Sequence, residues 1–407
     1  MREMKDSGIE WIGEIPKSWK ICRLKDYAHI CNGRDYSEVL DENGEYPVIG
    51  SGGQFENASK ALYSSESVLL GRKGTIDKPI YINQPFWTVD TMYYTEIKEN
   101  TWAKYFYYLC TQIEFDFYQY GSAVPSMTQR DLYNVNFPYP TIEEQQRIAD
   151  YLDRKCSQID TIIARQQEVI EKLKAYKLSV ITEAVTKGLN PDAPMKDSGI
   201  DFIGQIPAHW TLNKFKYLSL DIGDGIHTTP TYDTDGKIYF VNGNNIGNDN
   251  LVFKEGTNTI NEVEYATYKH PLLTQNTIFI TLNGATYGKT SFYHGEKILL
   301  GKSAGFITLK PTENKEYIRY YLQSNIARLI MDLSLLGSTI ANLSLRTLND
   351  FLIPYPPIEE QQVIVNYLTD RTNSLDTAIS RKQTIIDKLT DYKKSLIYEV
   401  VTGKKEV

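Results

Sequence analysis

The chain has 407 residues, with 44 lysines and arginines against 51 aspartates and glutamates and a formal net charge of −7. That length accommodates two or more cores, and the mild acidity argues against a protein that coats nucleic acid by charge alone, while leaving room for binding through local loops. No stretch approaches the roughly 20 apolar residues of a membrane span, and Met1-Arg2-Glu3-Met4-Lys5-Asp6 lacks the apolar core of a signal peptide, so a cytoplasmic protein is the expectation.

Residues 1–20 form an arm that carries Gly8-Ile9-Glu10-Trp11-Ile12-Gly13-Glu14-Ile15-Pro16 and ends at Trp19. A first block follows, residues 21–138. Its strand-like runs are Ser67–Leu70, Pro79–Ile82 and Thr91–Tyr94, with a helix expected over Thr101–Leu109. Gly71-Arg72-Lys73-Gly74-Thr75 places two cations in a glycine-rich turn after a strand. Such a turn either meets phosphate or a guanine edge or is a solvated hairpin end. Gly121-Ser122-Ala123-Val124-Pro125, with Gln129-Arg130, closes the block. The four cysteines, Cys22, Cys31, Cys110 and Cys156, show no CxxC spacing, so neither a metal site nor a disulfide framework is expected and the thiols are read as reduced.

Residues 139–188 begin Tyr139-Pro140-Thr141-Ile142-Glu143-Glu144-Gln145-Gln146 and continue with apolar spacing of three and four. The seam is read as Ile159, Ile162, Gln166, Val169, Leu173, Tyr176 and Val180, a heptad pattern. From Ile159 to Val180 it spans about 33 Å, close to the roughly 34 Å turn of B-DNA.

After Gly188 a Pro-rich linker and a second arm occupy residues 189–210. The arm repeats the first as Gly199-Ile200-Asp201-Phe202-Ile203-Gly204-Gln205-Ile206-Pro207 and ends at Trp210. A second block, residues 211–354, contains strand-like runs at Lys237–Val241, Thr277–Thr281 and Gly305–Leu309 and a helix expected over Glu316–Leu333. Its polar loops include His227, Thr228 and Tyr232, then Asn244 and Asn245, then Thr286 and Lys289, and a late Gly337-Ser338. These side chains either read base edges or serve local turn chemistry. The loop Gly284-Ala285-Thr286-Tyr287-Gly288-Lys289-Thr290 resembles a phosphate loop, but Asn283 stands where that pattern needs glycine.

Residues 355–407 restate the central helix. Tyr355-Pro356-Pro357-Ile358-Glu359-Glu360-Gln361-Gln362 leads into Leu375, Ala378, Lys382, Ile385, Leu389, Tyr392 and Leu396, each 216 positions after its counterpart. Gln166 and Lys382 are the matched polar seam positions, expected to fix register. The chain is thus a tandem duplication whose arms and helices nearly coincide while its blocks barely match. The expected fold is α+β: two mixed globular domains in tandem pseudo-repeat, joined by two long antiparallel coiled-coil helices. Catalytic patterns are thin. HExxH is absent, Tyr355-Pro356-Pro357-Ile358 lacks the leading amide or acid of an amino-methyltransferase motif, and Asp90 with Glu96-Ile97-Lys98 is a weak nuclease-like set without a second copy.

The arms, the duplicated Pro-x-Ile-Glu-Glu-Gln-Gln entry, the Gly-Ser loops and the Gly-Arg-Lys-Gly-Thr turn together resemble the specificity subunits of type I restriction–modification systems, over nearly the whole chain. The resemblance implies a non-catalytic subunit whose blocks are target recognition domains, each reading one half of a bipartite asymmetric site in double-stranded DNA. The helices then set the spacer and dock two modification (methyltransferase) subunits. It further implies restriction subunits with translocase and nuclease activity, with S-adenosylmethionine, ATP and Mg in those partners and no cofactor or metal in this chain. The DNA-facing residues expected are Arg72, Lys73, Thr75, Ser122 and Gln129 in the first block. In the second they are His227, Thr228, Tyr232, Asn244, Asn245, Thr286, Lys289 and Ser338. The alternatives are a stand-alone nuclease or methyltransferase with fused recognition domains, and a coiled-coil scaffold that does not bind DNA.

Overall fold

The structure, a computed structural model, describes residues 2–115, 125–335 and 342–407. It contains two compact units, Met1–Gln167 with Thr384–Val407, and Glu168–Gln383. Each unit takes one end of each long helix.

In the first unit the arm forms a hairpin of β1 (Met4–Asp6) and β2 (Glu14–Pro16), and β3 (Lys20–Arg23) leads into a short α1 (Leu24–Tyr27). The strands that follow are β4 (Ala28–Asn32), β5 (Tyr46–Gly50), β6 (Gly53–Ala58), β7 (Ser67–Gly71), β8 (Ile80–Ile82), β9 (Trp87–Thr88) and β10 (Met92–Ile97). After these come α2 (Ala103–Cys110), α3 (Gln129–Asn134), β11 (Asn136–Tyr139) and the start of α4 (Ile142–Lys187). One sheet has the order β4-β10-β7-β8, all antiparallel; a second has the order β6-β5-β9, with β9 parallel to β5. β11 pairs with β3 and so brings the end of the block back to its beginning.

The second unit repeats this plan. Its arm hairpin is β12 (Met195–Asp197) and β13 (Gln205–Pro207), followed by β14 (Thr211–Lys214), α5 (Phe215–Leu218), β15 (Ser219–Asp224) and β16 (Ile238–Val241). Next are β17 (Thr259–Ile260), α6 (Glu262–Ala266), β18 (Thr277–Thr281), β19 (Thr290–Phe292), β20 (Ile298–Leu300) and β21 (Ala304–Leu309). It closes with α7 (Lys315–Leu322), α8 (Asn325–Ser334), α9 (Leu345–Asp350), β22 (Leu352–Tyr355) and the start of α10 (Ile358–Val401). The sheets run β15-β21-β18-β19 and β17-β16-β20, with β20 parallel to β16 and β14 paired with β22. Two blocks with little sequence in common therefore share one strand order. Residue identity therefore does not define that topology; what the copies share is central strands buried along their length, β7 in the first block and β18 and β21 in the second. The single helix expected over Glu316–Leu333 is broken into α7 and α8. Gln323 ends α7, and Ser324 caps α8, its Oγ accepting from Ala327 N at 3.2 Å.

The duplicated helix entry has a structural reason. Gln145 and Gln361 are both fully buried. The Gln145 amide accepts from Trp102 N at 2.9 Å and donates to Pro140 O at 3.1 Å, and Gln361 Nε2 donates to Pro356 O at 2.9 Å. Glu144 meets the first arm, where it accepts from Trp19 Nε1 at 2.9 Å and pairs with Arg2; Glu360 meets His209 of the second arm at 2.7 Å. At the far helix ends Gly188 and Gly403 each have φ of +74°, the left-handed turn that glycine adopts without penalty. A Cβ on Gly403 would lie 2.5 Å from Pro16 Cδ, so the arm also excludes a side chain there.

The helix halves in each unit run antiparallel. In the first, Tyr105 Oη reaches Pro138 O just before α4 and Val401 O at the end of α10, while Asp160 pairs with Lys393 further along at 2.6 Å. In the second, Tyr317 Oη reaches Pro354 O and Val185 O, while Lys177 pairs with Asp376 at 2.6 Å. The two ion pairs are images of each other under the 216-residue repeat.

The seam differs from the sequence reading at every second position. Ile159, Leu173, Leu375 and Leu389 face inward, and Gln166 and Lys382 are half-buried between them. Ile162, Val169, Tyr176, Ile385 and Tyr392 are exposed, and Ala378 is half-buried at the margin. The stripe instead passes through Ile163, Ile170 and Lys177, and through Ile379, Ile386 and Lys393. Adjacent apolar pairs such as Ile162-Ile163 and Val169-Ile170 fit either of two heptad phases, and the packing partner selects one. Lys177 and Lys393 take seam positions because their stems pack while their ammonium heads reach an aspartate on the facing helix. Among the described residues the buried Oε1 of Gln166 has no hydrogen-bond partner.

Candidate nucleic-acid interface

In the first unit the turn after β7 is tied to its surroundings by backbone bonds. Arg72 N and Lys73 N both donate to Thr91 O, at 2.9 and 3.1 Å, and Met127 N donates to Arg72 O at 3.1 Å. Lys73 also bridges to Ser126. This anchoring leaves the Lys73 side chain exposed, holds Thr75 half-buried, and lets the Arg72 guanidinium donate to Asp90 O at 3.2 Å. Gln129, the first residue of α3, donates to Asn32 Oδ1 at 3.2 Å, so α3 and the end of β4 meet beside this turn. Gly33, which follows β4, sits so close to β9 that a Cβ would lie 2.0 Å from Val89 O. The exposed Arg34 after it donates its N–H to Thr88 O at 2.9 Å.

The second unit builds the same frame with other side chains. Leu282 N donates to Ser303 O at 3.0 Å, Leu343 N donates to Leu282 O at 2.7 Å, and Asn283 bridges to Asn342. Leu282 thus occupies the place of Arg72, Asn283 that of Lys73, and Lys302 that of Asp90. Ile226 N donates to Leu300 O at 2.7 Å, and Gly243 N donates to Ser303 Oγ at 2.9 Å. The roots of four loops therefore meet at Gly301–Ser303.

The expected site residues fare unequally. Asn244, Thr228, Tyr232 and Lys289 are exposed on these loops, and Thr286 is half-buried. His227 is exposed but holds Asp224 Oδ2 at 2.8 Å. The Asn245 amide is engaged at both ends, accepting from Asn242 N at 2.9 Å and donating to Val252 O at 3.1 Å. It braces its own loop, which removes it from the set of free readers. Glu264 anchors the His227 loop by accepting from Thr231 N at 2.8 Å, and that bond, followed by one from Tyr268, holds its carboxyl below the usual range. Ser122 and Ser338, with their Gly-Ser loops, lie outside the described residues. Arg34, Asn283 and Lys302 join the interface without a motif to single them out. Their signal is positional: each directly follows or precedes a glycine in a loop after a strand. Asp90 precedes β10 and Glu96 lies near its far end, roughly 20 Å of extended chain apart, so the nuclease-like set does not assemble. Among the described residues one group of metal-capable side chains converges, His29, Cys31 and Glu96.

Two copies of one strand plan, each presenting polar loops that differ residue by residue on the same backbone frame, define a two-module recognition protein built on paired helices. The frame is duplicated and its readers are not. The chain belongs to the type I restriction modification DNA specificity domain family, whose pattern matches residues 16–172 and 224–390. It is 23% identical over 413 residues to the type I restriction enzyme MjaVIII specificity subunit of Methanocaldococcus jannaschii, covering 97% of this chain and 94% of that protein. It is 22% identical to the type I restriction enzyme EcoBI specificity subunit of Escherichia coli, covering 99% and 90%. A solved chain from work on complex assembly and conformational transition of the type I R-M system shares the fold. Its TM-score is 0.69 at 16% identity, over 96% of this chain and 99% of that one. Among the described residues no helix is long and apolar enough to cross a membrane.

Proposed function

We propose that this chain is the DNA sequence-recognition subunit of a type I restriction–modification complex, with residues 21–138 and 211–354 as its two target recognition domains. Each reads one half of a bipartite, asymmetric site in double-stranded DNA. The helices of residues 139–188 and 355–407 set the spacer and dock two methyltransferase subunits. The chain has no catalytic group of its own. S-adenosylmethionine, ATP and Mg act in the modification and restriction subunits, and the assembly works in the cytoplasm.

The observation that carries this reading is the equivalence of the two loop frames. Lys73 and Asn283 hang from the same backbone position, as do Asp90 and Lys302. A cation in one module stands where the other has a neutral amide, and an acid where the other has a cation, so the two modules address different donor and acceptor patterns. Arg72 and Lys73 suit guanine edges or phosphate, and Asn283 and Asn244 suit adenine. Thr75, Gln129, Thr228, Tyr232, Thr286 and Lys289 complete the set, with Ser122 and Ser338 as further readers.

The test is a pair of double variants in the assembled complex. Arg72→Ala with Lys73→Ala weakens discrimination at one half-site by about 1–3 kcal/mol for each base edge no longer read. Asn283→Ala with Lys302→Ala weakens the other. Binding to DNA carrying substitutions in one half-site at a time reads the effect. Equal loss at both half-sites from either variant would sink the assignment.

A further inference from the structure

We propose that His29, Cys31 and Glu96 form a binding site for a borderline-soft divalent cation of the zinc class. The site arises from strand pairing and is invisible to cysteine spacing. β4 and β10 pair antiparallel with His29 opposite Glu96 and Cys31 opposite Tyr94. Side chains alternate along a strand, so His29 and Cys31 share a face of β4, and the residue directly across from His29 shares that face too. One ligand atom from each of the three lies within 4.8 Å of the others.

The donor set is one nitrogen, one sulfur and one oxygen. Thiolate and imidazole together select zinc-class ions over calcium or magnesium, which take oxygen ligands. Bonds of about 2.0–2.3 Å place the donors of one tetrahedral ion roughly 3.3–3.8 Å apart. Small rotations of the exposed His29 and Glu96 and the half-buried Cys31 close the remaining gap. The histidine is already oriented: Tyr133 Oη lies 3.1 Å from His29 Nδ1 and also accepts from Ile30 N at 2.9 Å. That arrangement leaves Nε2 to bind, with Tyr133 as the outer-shell partner that metal-ligating histidines usually have. Three protein ligands leave a fourth position open to water. Binding displaces the Cys31 thiol proton to solvent. Tyr133 belongs to α3, the helix whose first residue Gln129 touches Asn32 at the end of the same strand. An ion here braces β4, β10 and α3 together beneath the recognition loops.

The experiment uses the full chain, stripped with a chelator and titrated with Co²⁺ as the spectroscopic probe. The expected result is a thiolate-to-cobalt charge-transfer band that saturates at one equivalent and is abolished by Zn²⁺. The band survives in Cys22→Ser and disappears in Cys31→Ser. Tyr133→Phe keeps the band and weakens affinity about 10–100-fold. Zn²⁺ raises the thermal midpoint of the wild-type chain and not of Cys31→Ser or His29→Ala; if Cys31→Ser fails to fold, His29→Ala carries the comparison. A titration without a thiolate band, or a band that persists in Cys31→Ser, overturns the proposal.

Discussion

Tyr105 and Tyr317 each join a block to both of its helix ends through one hydroxyl. Both rings are fully buried, and burial, helped by the nearby Glu144 charge for Tyr105 and by Tyr321 for Tyr317, pushes their phenols well above the usual range. The neutral phenol is therefore the form the fold holds, its hydroxyl set between a carbonyl of the strand that precedes one helix, Pro138 O or Pro354 O, and a carbonyl in the last turn of the other, Val401 O or Val185 O. Tyr105→Phe keeps the ring and removes the donor to Val401 O in an apolar site, while Pro138 O keeps the bond from Tyr27 Oη at 2.5 Å. The expected cost is about 1–3 kcal/mol in chemical unfolding; a midpoint equal to wild type would show that the hydroxyl does not hold the helix end. Sequence composition displays the 30 tyrosines without their purpose. Tyr27, Tyr105, Tyr317 and Tyr321 are core residues with placed hydroxyls, whereas Tyr232 is exposed on a recognition loop. The same limit applies to the site. Arg72 and Lys73 stand out because a glycine-flanked pair of cations is conspicuous. Asn283 and Lys302 do not, because their placement comes from the bridge of Asn283 to Asn342 and from the bonds that Gly301 and Ser303, on either side of Lys302, make to Val241, Gly243 and Leu282. Asn245 is misleading for the converse reason: a polar side chain in a loop serves the loop first when donors and acceptors lie within reach.

At the scale of elements, the long helices are the most legible part of the sequence and still conceal a phase. The entry motif and the heptad period follow from residue patterns, and the arm and block between the two helices permit the antiparallel pairing. The choice between Val169 and Ile170, or Ile385 and Ile386, requires the partner helix, since both members of each pair are apolar. Ile170→Ala removes a side chain that is 2% exposed and is expected to cost about 2–4 kcal/mol in thermal or urea unfolding. Val169→Ala, at 37% exposure, is expected to cost well under about 1 kcal/mol. The reverse ranking would restore the other heptad phase. The paired bridges Lys177–Asp376 and Lys393–Asp160 are partly exposed. Their stability contribution is small, about 0–1 kcal/mol, and their role is to fix register at one place in each unit. The strand plan is less legible than the helices. Individual runs such as Thr277–Thr281 are clear, but the parallel pairing of β5 with β9 and of β16 with β20 joins segments separated in sequence, and local patterns do not encode the partner.

At the scale of the whole molecule, duplication separates what is fixed from what varies. Trp19 and Trp210, Gln145 and Gln361, and Tyr105 and Tyr317 are buried at matching positions of the arms, helix entries and blocks, while the loop side chains on the shared frame diverge. Such a design lets half-site preference and spacing change independently, the first through loops and the second through helix length. The most direct measurement is the DNA target of the assembled complex, mapped from its methylation pattern, before and after lengthening both helices by one heptad. The insertions fall between Glu168 and Val169 and between Thr384 and Ile385, positions that match under both the repeat and the antiparallel pairing. The expected outcome is a longer spacer between two unchanged half-sites. An unchanged spacer, or half-sites that change with the insertion, would contradict the account.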